Sequence, residues 1–364
     1  MDAIELSPLW QLAALGALIA SGPLLWLRLR SRAASPQARL RALTVLTLFL
    51  TFDLVLLGAF TRLSDSGLGC PDWPGCYASV SPFGAHGEIS AAQAAAPTGP
   101  VTHVKAWIEM THRYLASGVG VLILVLCVMS WRQGKAVVSP WWATVTFVWV
   151  CMQGAFGALT VTMKLFPAIV TLHLLGGMGL LMLLAVQAQG YAPKPLALPQ
   201  PLRWGVWLVL ILSLLQVSLG GWVSTNYAVL ACTEFPTCHG GQWWPTMDFA
   251  QGFALWRGLG VGADGGWLPF AALTAIHMAH RLGAALLSVA MLLVCWRLWG
   301  QGGQARKWAR RLLLVLAWQL VSGLSNVVLD WPIAAALAHT GGAAMLLTLL
   351  SVLLARLHLP QIRT

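Results

Sequence analysis

The sequence predicts an all-α polytopic membrane protein: two pseudo-symmetric four-helix transmembrane bundles and one extra N-terminal transmembrane helix. Three observations predict it. Of 364 residues, 58% are hydrophobic and only 9% charged, with a mean hydropathy of +0.74, whereas soluble domains carry about 25% charged residues. The apolar residues come in runs near the roughly 20 that a helix needs to cross a bilayer. A pattern of cysteine, proline, glycine and histidine then recurs in the second half of the chain at a nearly constant offset.

The apolar runs predict nine spans, at residues 9–28, 41–61, 107–130, 141–163, 167–189, 204–225, 271–297, 310–329 and 333–356. The loops between them sort by charge. Arg28, Arg30, Arg32, Arg39 and Arg41 follow the first span, Arg132 and Lys135 the third, and Lys194 and Arg203 the fifth. Arg297, Arg306, Lys307, Arg310 and Arg311 follow the seventh, and Arg356 and Arg363 close the chain. Every second loop is basic, which predicts that those loops are cytoplasmic, the N-terminus outside and the C-terminus inside. The other loops hold Asp65, Asp72, Glu88, Glu234, Asp248, Asp264 and Asp330. The net charge of +11 is thus a topology signal and not a nucleic-acid-binding surface. The start, MDAIELSPLW, lacks the basic opening of a signal peptide.

The repeat organises the chain. Gly58, Cys70, Asp72, Pro74 and Cys76 match Gly220, Cys232, Glu234, Pro236 and Cys238 at an offset of 162. EMTHR, Glu109 to Arg113, faces HMAHR, His277 to Arg281, at an offset of 168. Gln153, Gly157 and His173 match Gln319, Gly323 and His339 at an offset of 166. The small drift falls in loops, where insertions are tolerated. The expected organisation is an extra helix and basic loop at 1–40, a four-helix half at 41–190 and a second at 191–364. An even number of spans per half gives both copies the same orientation, with two similar sites opening toward one face.

Ionisable residues inside a span are functional candidates by default. His86, His103, His239 and His358 fall in loops or the tail and read as surface residues. His112 and His173 lie about a turn and a half into spans that enter from the outer side, at a common level, and His280 and His339 repeat the arrangement. Paired neutral imidazoles on facing helices are how a four-helix bundle holds a heme iron axially. Gly118, Gly120, Gly176, Gly177, Gly283, Gly341 and Gly342 leave room for a flat macrocycle. The alternative is that the histidines hydrogen-bond between helices and the glycines serve close packing. Zinc lacks a neighbouring carboxylate or thiol at ligand spacing. His277 competes with His280 as a ligand, and the repeat favours His280 because it matches His112.

The two halves differ at Glu109, on the same helix face as His112 and one turn nearer the outside, where the second half has His277. A carboxylate beside one heme only points to chemistry in that half and a fixed cofactor in the other; the alternative is an interfacial charge. Arg113 and Arg281 follow the histidines and are candidates for heme propionates or for snorkelling to the interface. Cys127, Cys151 and Cys295 lie in spans and read as packing residues. Cys70–Cys76 and Cys232–Cys238 fall on the oxidising side, where disulfides form; either is a structural clip, or, for Cys70–Cys76 above Glu109, a labile redox pair.

Six blocks in order, GAFTRLSDSGLGCPDWPGC (58–76), WIEMTHRYLAS (107–117), VTLHLLGG (170–177), ACTEFPTCHGGQWWPTMDF (231–249), AIHMAHRLGA (275–284) and ALAHTGG (336–342), resemble the bacterial heme A synthase family. The resemblance covers residues 42–356, nearly all but the first span. It implies oxidation of the C8 methyl of heme O to a formyl group by successive hydroxylations, giving heme A for cytochrome oxidase assembly. It also implies substrate heme on His112 and His173, a resident heme b on His280 and His339, an essential carboxylate at Glu109 and an outer-loop disulfide at Cys70 and Cys76. Implied partners are heme O synthase, cytochrome oxidase assembly factors, an electron acceptor and membrane lipid, in the bacterial inner membrane with the cysteine loops periplasmic. Members with eight spans begin inside, so the extra helix is a departure. The competing reading is a bis-histidine membrane cytochrome b passing electrons between quinone and a periplasmic partner, which leaves the one-sided Glu109 unexplained. A transporter explains the repeat but not four matched histidines.

Overall fold

A computed structural model describes residues 7–134 and 138–358 of the chain. Among them are nine helices long and apolar enough to cross a membrane: α1 (Ser7–Arg30), α2 (Pro36–Leu63), α4 (His103–Gln133), α5 (Pro140–Thr162), α6 (Pro167–Tyr191), α7 (Gln200–Thr225), α9 (Phe270–Gly300), α10 (Gly303–Val328) and α11 (Ile333–His358). Two short helices, α3 (His86–Ala95) and α8 (Phe249–Gly252), lie in loops, and no strand is present among the described residues. The predicted all-α, nine-span fold is thus observed. Arg363 and Lys135 of the charge pattern lie outside the described residues.

Several helices begin earlier than their apolar runs, because local chemistry starts the helix before lipid is reached. Ser35 caps α2 by accepting from the Ala38 amide, with Pro36 at the first turn, and Thr102 caps α4 by accepting from the Lys105 amide. Ser and Thr oxygens satisfy backbone donors that the first turn leaves without partners, and proline has no such donor to satisfy. Only a minority of each span is buried, so Leu, Val and Trp side chains such as Trp318 and Val321 face outward, as lipid-facing helix surfaces do.

The chain forms two compact units, Met1–Leu165 with Gly179–Ala192, and Phe166–Met178 with Pro193–Thr364. α6 is therefore shared, its first half belonging to the second unit and its second half to the first. In the first unit, one apolar cluster gathers Leu27, Leu40, Leu43, Ile123, Leu126 and Leu184. A second, at the other end, packs Leu12 of α1 against Cys70, Cys76, Ile89, Ala106 and Met110. α1 crosses α4 closely: a Cβ on Gly16 would lie 2.8 Å from the Ser117 backbone, the small-residue contact typical of helices in lipid. In the second unit, Trp222, Val223, Ala228 and Ile276 form the cluster beneath the loops. There the Trp222 indole donates to the Gly252 carbonyl at 2.8 Å.

Candidate functional site

In the second unit His280 of α9 and His339 of α11 face each other, with ring centres 6.4 Å apart and planes at 80°. Each ring lies against a glycine of the neighbouring helix. A Cβ on Gly220 of α7 would sit 3.1 Å from the His280 ring, and one on Gly323 of α10 would sit 3.1 Å from the His339 ring. A methyl at either position would already require the imidazole to give by a few tenths of an ångström. Both rings have Nδ1 engaged by a side chain of the next helix. Gln216 approaches His280 Nδ1 at 2.9 Å and donates to the His280 carbonyl at 3.0 Å, while Ser322 Oγ lies 3.1 Å from His339 Nδ1.

Ser322 decides the His339 tautomer. Its one hydroxyl proton goes to the Trp318 carbonyl at 2.7 Å, so toward His339 the oxygen accepts, and Nδ1 carries the ring proton. The Nε2 lone pair is then available, which is the state a metal-bound imidazole needs, with its other nitrogen oriented by an outer partner. A metal–imidazole bond is about 2 Å and the ring adds about 1 Å on each side, so an ion held between two rings needs centres about 6 Å apart. The observed separation fits. No group of three or more His, Cys, Asp or Glu side chains converges among the described residues, and two imidazoles alone suit a macrocycle that supplies its own equatorial donors.

His277 lies elsewhere. It is 4% exposed, and its Nδ1 is 2.9 Å from the Ala228 carbonyl, which leaves Nδ1 as the donor. His277 thereby ties α9 to a 3-10 turn, Ala228–Ala231, and His280 is the ring that meets His339.

In the first unit His112 of α4 repeats the glycine contact, for a Cβ on Gly58 of α2 would lie 3.0 Å from its ring. His173 lies on the part of α6 that belongs to the second unit, and its Nδ1 is buried with no hydrogen-bond partner among the described residues. Gly58 and Gly220 stand out in the sequence only as a repeated pair; their contact with the histidines gives that pair its meaning. Gln216 and Ser322 carry no comparable signal, because lone polar residues in a span have many uses.

Glu109 is 4% exposed, and each of its oxygens accepts a hydrogen bond. Its Oε2 accepts from the Cys70 amide at 2.8 Å and its Oε1 from Arg113 Nη2. Arg113 Nη1 also donates to the carbonyls of Asp72, at 3.0 Å, and Gly75. Both disulfides, Cys70–Cys76 and Cys232–Cys238, are formed, and all four cysteines are fully buried. In the second unit Arg281 donates to the Thr237 carbonyl at 2.8 Å and the Cys232 carbonyl at 3.2 Å. Both arginines thus donate to backbone carbonyls of the cysteine rings. Asp72 accepts from the amides of Tyr77 and Ala78. Its counterpart Glu234 accepts from Gly240, Gly241 and Thr237, and the Gly241 amide, followed by the Thr237 hydroxyl, holds the Glu234 carboxyl below its ordinary value of 4.5.

Residues 41–351 match the sequence model of the COX15-CtaA family, described as cytochrome oxidase assembly protein. The chain is 38% identical to the heme A synthase of Shewanella oneidensis over 307 residues, covering 83% of this chain and 92% of that protein. It is 26% identical to the heme A synthase of Geobacillus thermodenitrificans over 312 residues, or 82% and 84% of the two chains. Against that of Bacillus mycoides it is 24% identical over 324 residues, or 84% and 88%.

Proposed function

The chain belongs to the COX15-CtaA family of cytochrome oxidase assembly proteins, and we propose that it is a heme A synthase, oxidising the C8 methyl of heme O to a formyl group. The match to the Shewanella enzyme over 83% of the chain carries the reaction. The facing His280 and His339, each backed by glycine, support a heme in the second unit, which we assign as a resident heme b that supplies electron transfer when bound. His112, in the same glycine contact, and His173, with an unengaged buried nitrogen, are assigned to the substrate heme O. The alternation of basic and acidic loops supports a periplasmic side for the cysteine loops in a bacterial inner membrane.

Glu109 is assigned the reacting carboxylate. A carboxylate has about four lone-pair sites, and Cys70 and Arg113 occupy one on each oxygen, so each oxygen can still accept from a water or from a hydroxyl on the substrate. Methyl-to-formyl oxidation with water as the oxygen source releases protons and electrons. The electrons pass to a separate electron acceptor, and a fixed carboxylate takes the protons or orients the water. Arg113 aims the carboxylate by donating to its Oε1. Apolar packing of Met110 and Ala106 beside it limits water.

The test is to purify the protein from cells making heme O, extract the heme and identify it by mass. Heme b with heme O or heme A supports the assignment, and heme b alone indicates an electron-transfer cytochrome. Glu109→Gln should retain heme but lower formyl production by at least about a hundredfold. Unchanged heme A output from that variant removes Glu109 from the reaction.

A further inference from the structure

Arg113 joins two features that lie on different segments. On one side its guanidinium meets Glu109, one turn back on α4. On the other it reaches the carbonyls of Asp72 and Gly75, inside the ring closed by Cys70 and Cys76. Glu109 closes the circuit by accepting from the Cys70 amide. Helix, carboxylate and disulfide ring are therefore one loop of hydrogen bonds, nearly out of water, with the Arg113 and Glu109 side chains 10% and 5% exposed.

The second unit has half of this circuit. Arg281 grips its ring at Thr237 and Cys232, but no carboxylate stands one turn back. His277 occupies that place and holds the Ala228 carbonyl, outside the ring. The arginine–ring contact is thus common to both units, and the carboxylate is added only in the first.

We infer that Arg113 is a positioning residue that locks the Cys70–Cys76 ring and the Glu109 carboxylate into one rigid unit, so that Glu109 keeps its place only while the ring is closed. The inference rests on the reading of Glu109 as the reacting carboxylate. The guanidinium suits this role because its planar fork presents five donors in fixed directions and serves both sides at once, which a lysine ammonium does not. Removing one partner of a buried pair leaves an uncompensated charge, so each member holds the other in place. With Nη1 on the ring carbonyls and Nη2 on Glu109, Arg113 anchors the ring to the helix.

The experiment reads ring opening directly. Both ring cysteines are fully buried, so a phosphine reductant reaches them only when the loop opens. Purified full-length protein is treated with the phosphine, new thiols are trapped with a maleimide, and each ring is quantified by peptide mass. Arg113→Gln should speed thiol appearance at Cys70 and Cys76 by about tenfold or more, as expected for loss of a hydrogen bond to a charged group. It should leave Cys232 and Cys238 at their original rate, and Arg281→Gln should do the reverse. An unchanged rate at Cys70 and Cys76 in Arg113→Gln overturns the inference. If that variant fails to fold, Arg113→Lys serves instead, keeping the charge beside Glu109 but losing the fork to the ring.

A second readout separates positioning from mere loop stability. The reduced-minus-oxidised infrared difference spectrum should contain a carboxylate band that is absent in Glu109→Gln. A spectrum without that band shows that the ring does not move the carboxylate, and also overturns the inference. Neither readout uses heme conversion. If both succeed while Glu109→Gln still makes heme A, the coupling stands and it is the reacting role of Glu109 that fails.

Discussion

At the scale of single residues, the histidines were legible in the sequence and their supports were not. Four imidazoles at repeated positions in apolar spans are rare enough to name from the chain alone. A glycine in a span, by contrast, reads the same whether it admits a neighbouring helix or a neighbouring ring. Gly220 and Gly323 do the second. Gly220→Val should therefore displace the His280 ring, and we expect purified protein to lose most of its second-unit heme, measured as heme bound per chain. Ser322 sets the proton on His339 through Nδ1. Ser322→Ala should weaken heme binding by about tenfold or more, the usual cost of removing an outer partner of a metal-bound imidazole, read by heme loss to an apoprotein acceptor. Glu234 gives a pH-dependent prediction. Its folded-state pKa is lowered, chiefly by the Gly241 amide, so its contribution to the loop is present above the ordinary value of 4.5 and is lost as pH falls through the folded value. Protection of the Gly240 and Gly241 amides against hydrogen exchange, relative to the intrinsic rate at each pH, should fall on acidification in the wild type. In Glu234→Gln that protection should be low and insensitive to pH over that window.

At the scale of elements, hydropathy located all nine spans but not their ends. Apolarity reports where lipid begins, whereas Ser35 with Pro36, and Thr102, report where the helix begins. The short helices α3 and α8 escaped notice because a few polar turns leave no periodic signal. The packing of α1 was equally hidden, since a lipid-facing helix and a helix against a neighbour have the same composition. Its contact with α4 at Gly16 and Ser117 is close enough that Gly16→Leu must part the two helices. Overpacking of this kind costs about 1–3 kcal/mol. A fall of several degrees in the melting temperature in detergent would record it, while Gly22→Leu, whose Cβ meets nothing, should leave it unchanged.

At the scale of the whole molecule, the repeat visible in the sequence explains why two rings, two arginines and three glycine–histidine contacts recur. It does not show how the chain divides, because α6 belongs partly to each unit and no residue pattern marks a change of company within a continuous apolar helix. If each half holds one heme, His339→Ala should remove roughly half of the heme bound per chain and leave the remainder with the spectrum of the other site. Replacing Cys70 and Cys76 together by serine should lower conversion per folded chain more than the same change at Cys232 and Cys238. Equal losses would mark both as clips.

The residue one turn before the first histidine of each pair shows how deeply the halves have parted. Glu109 receives an amide proton from Cys70, while His277 offers a proton to the Ala228 carbonyl. Both fasten a helix to the chain above it, but with opposite polarity, like a socket on one half and a plug on the other. Exchanging the two side chains alone would set acceptor against acceptor in one half and donor against donor in the other. A functional chimera must therefore carry its outer loop with its helix, since the smallest interchangeable part is the fastened pair.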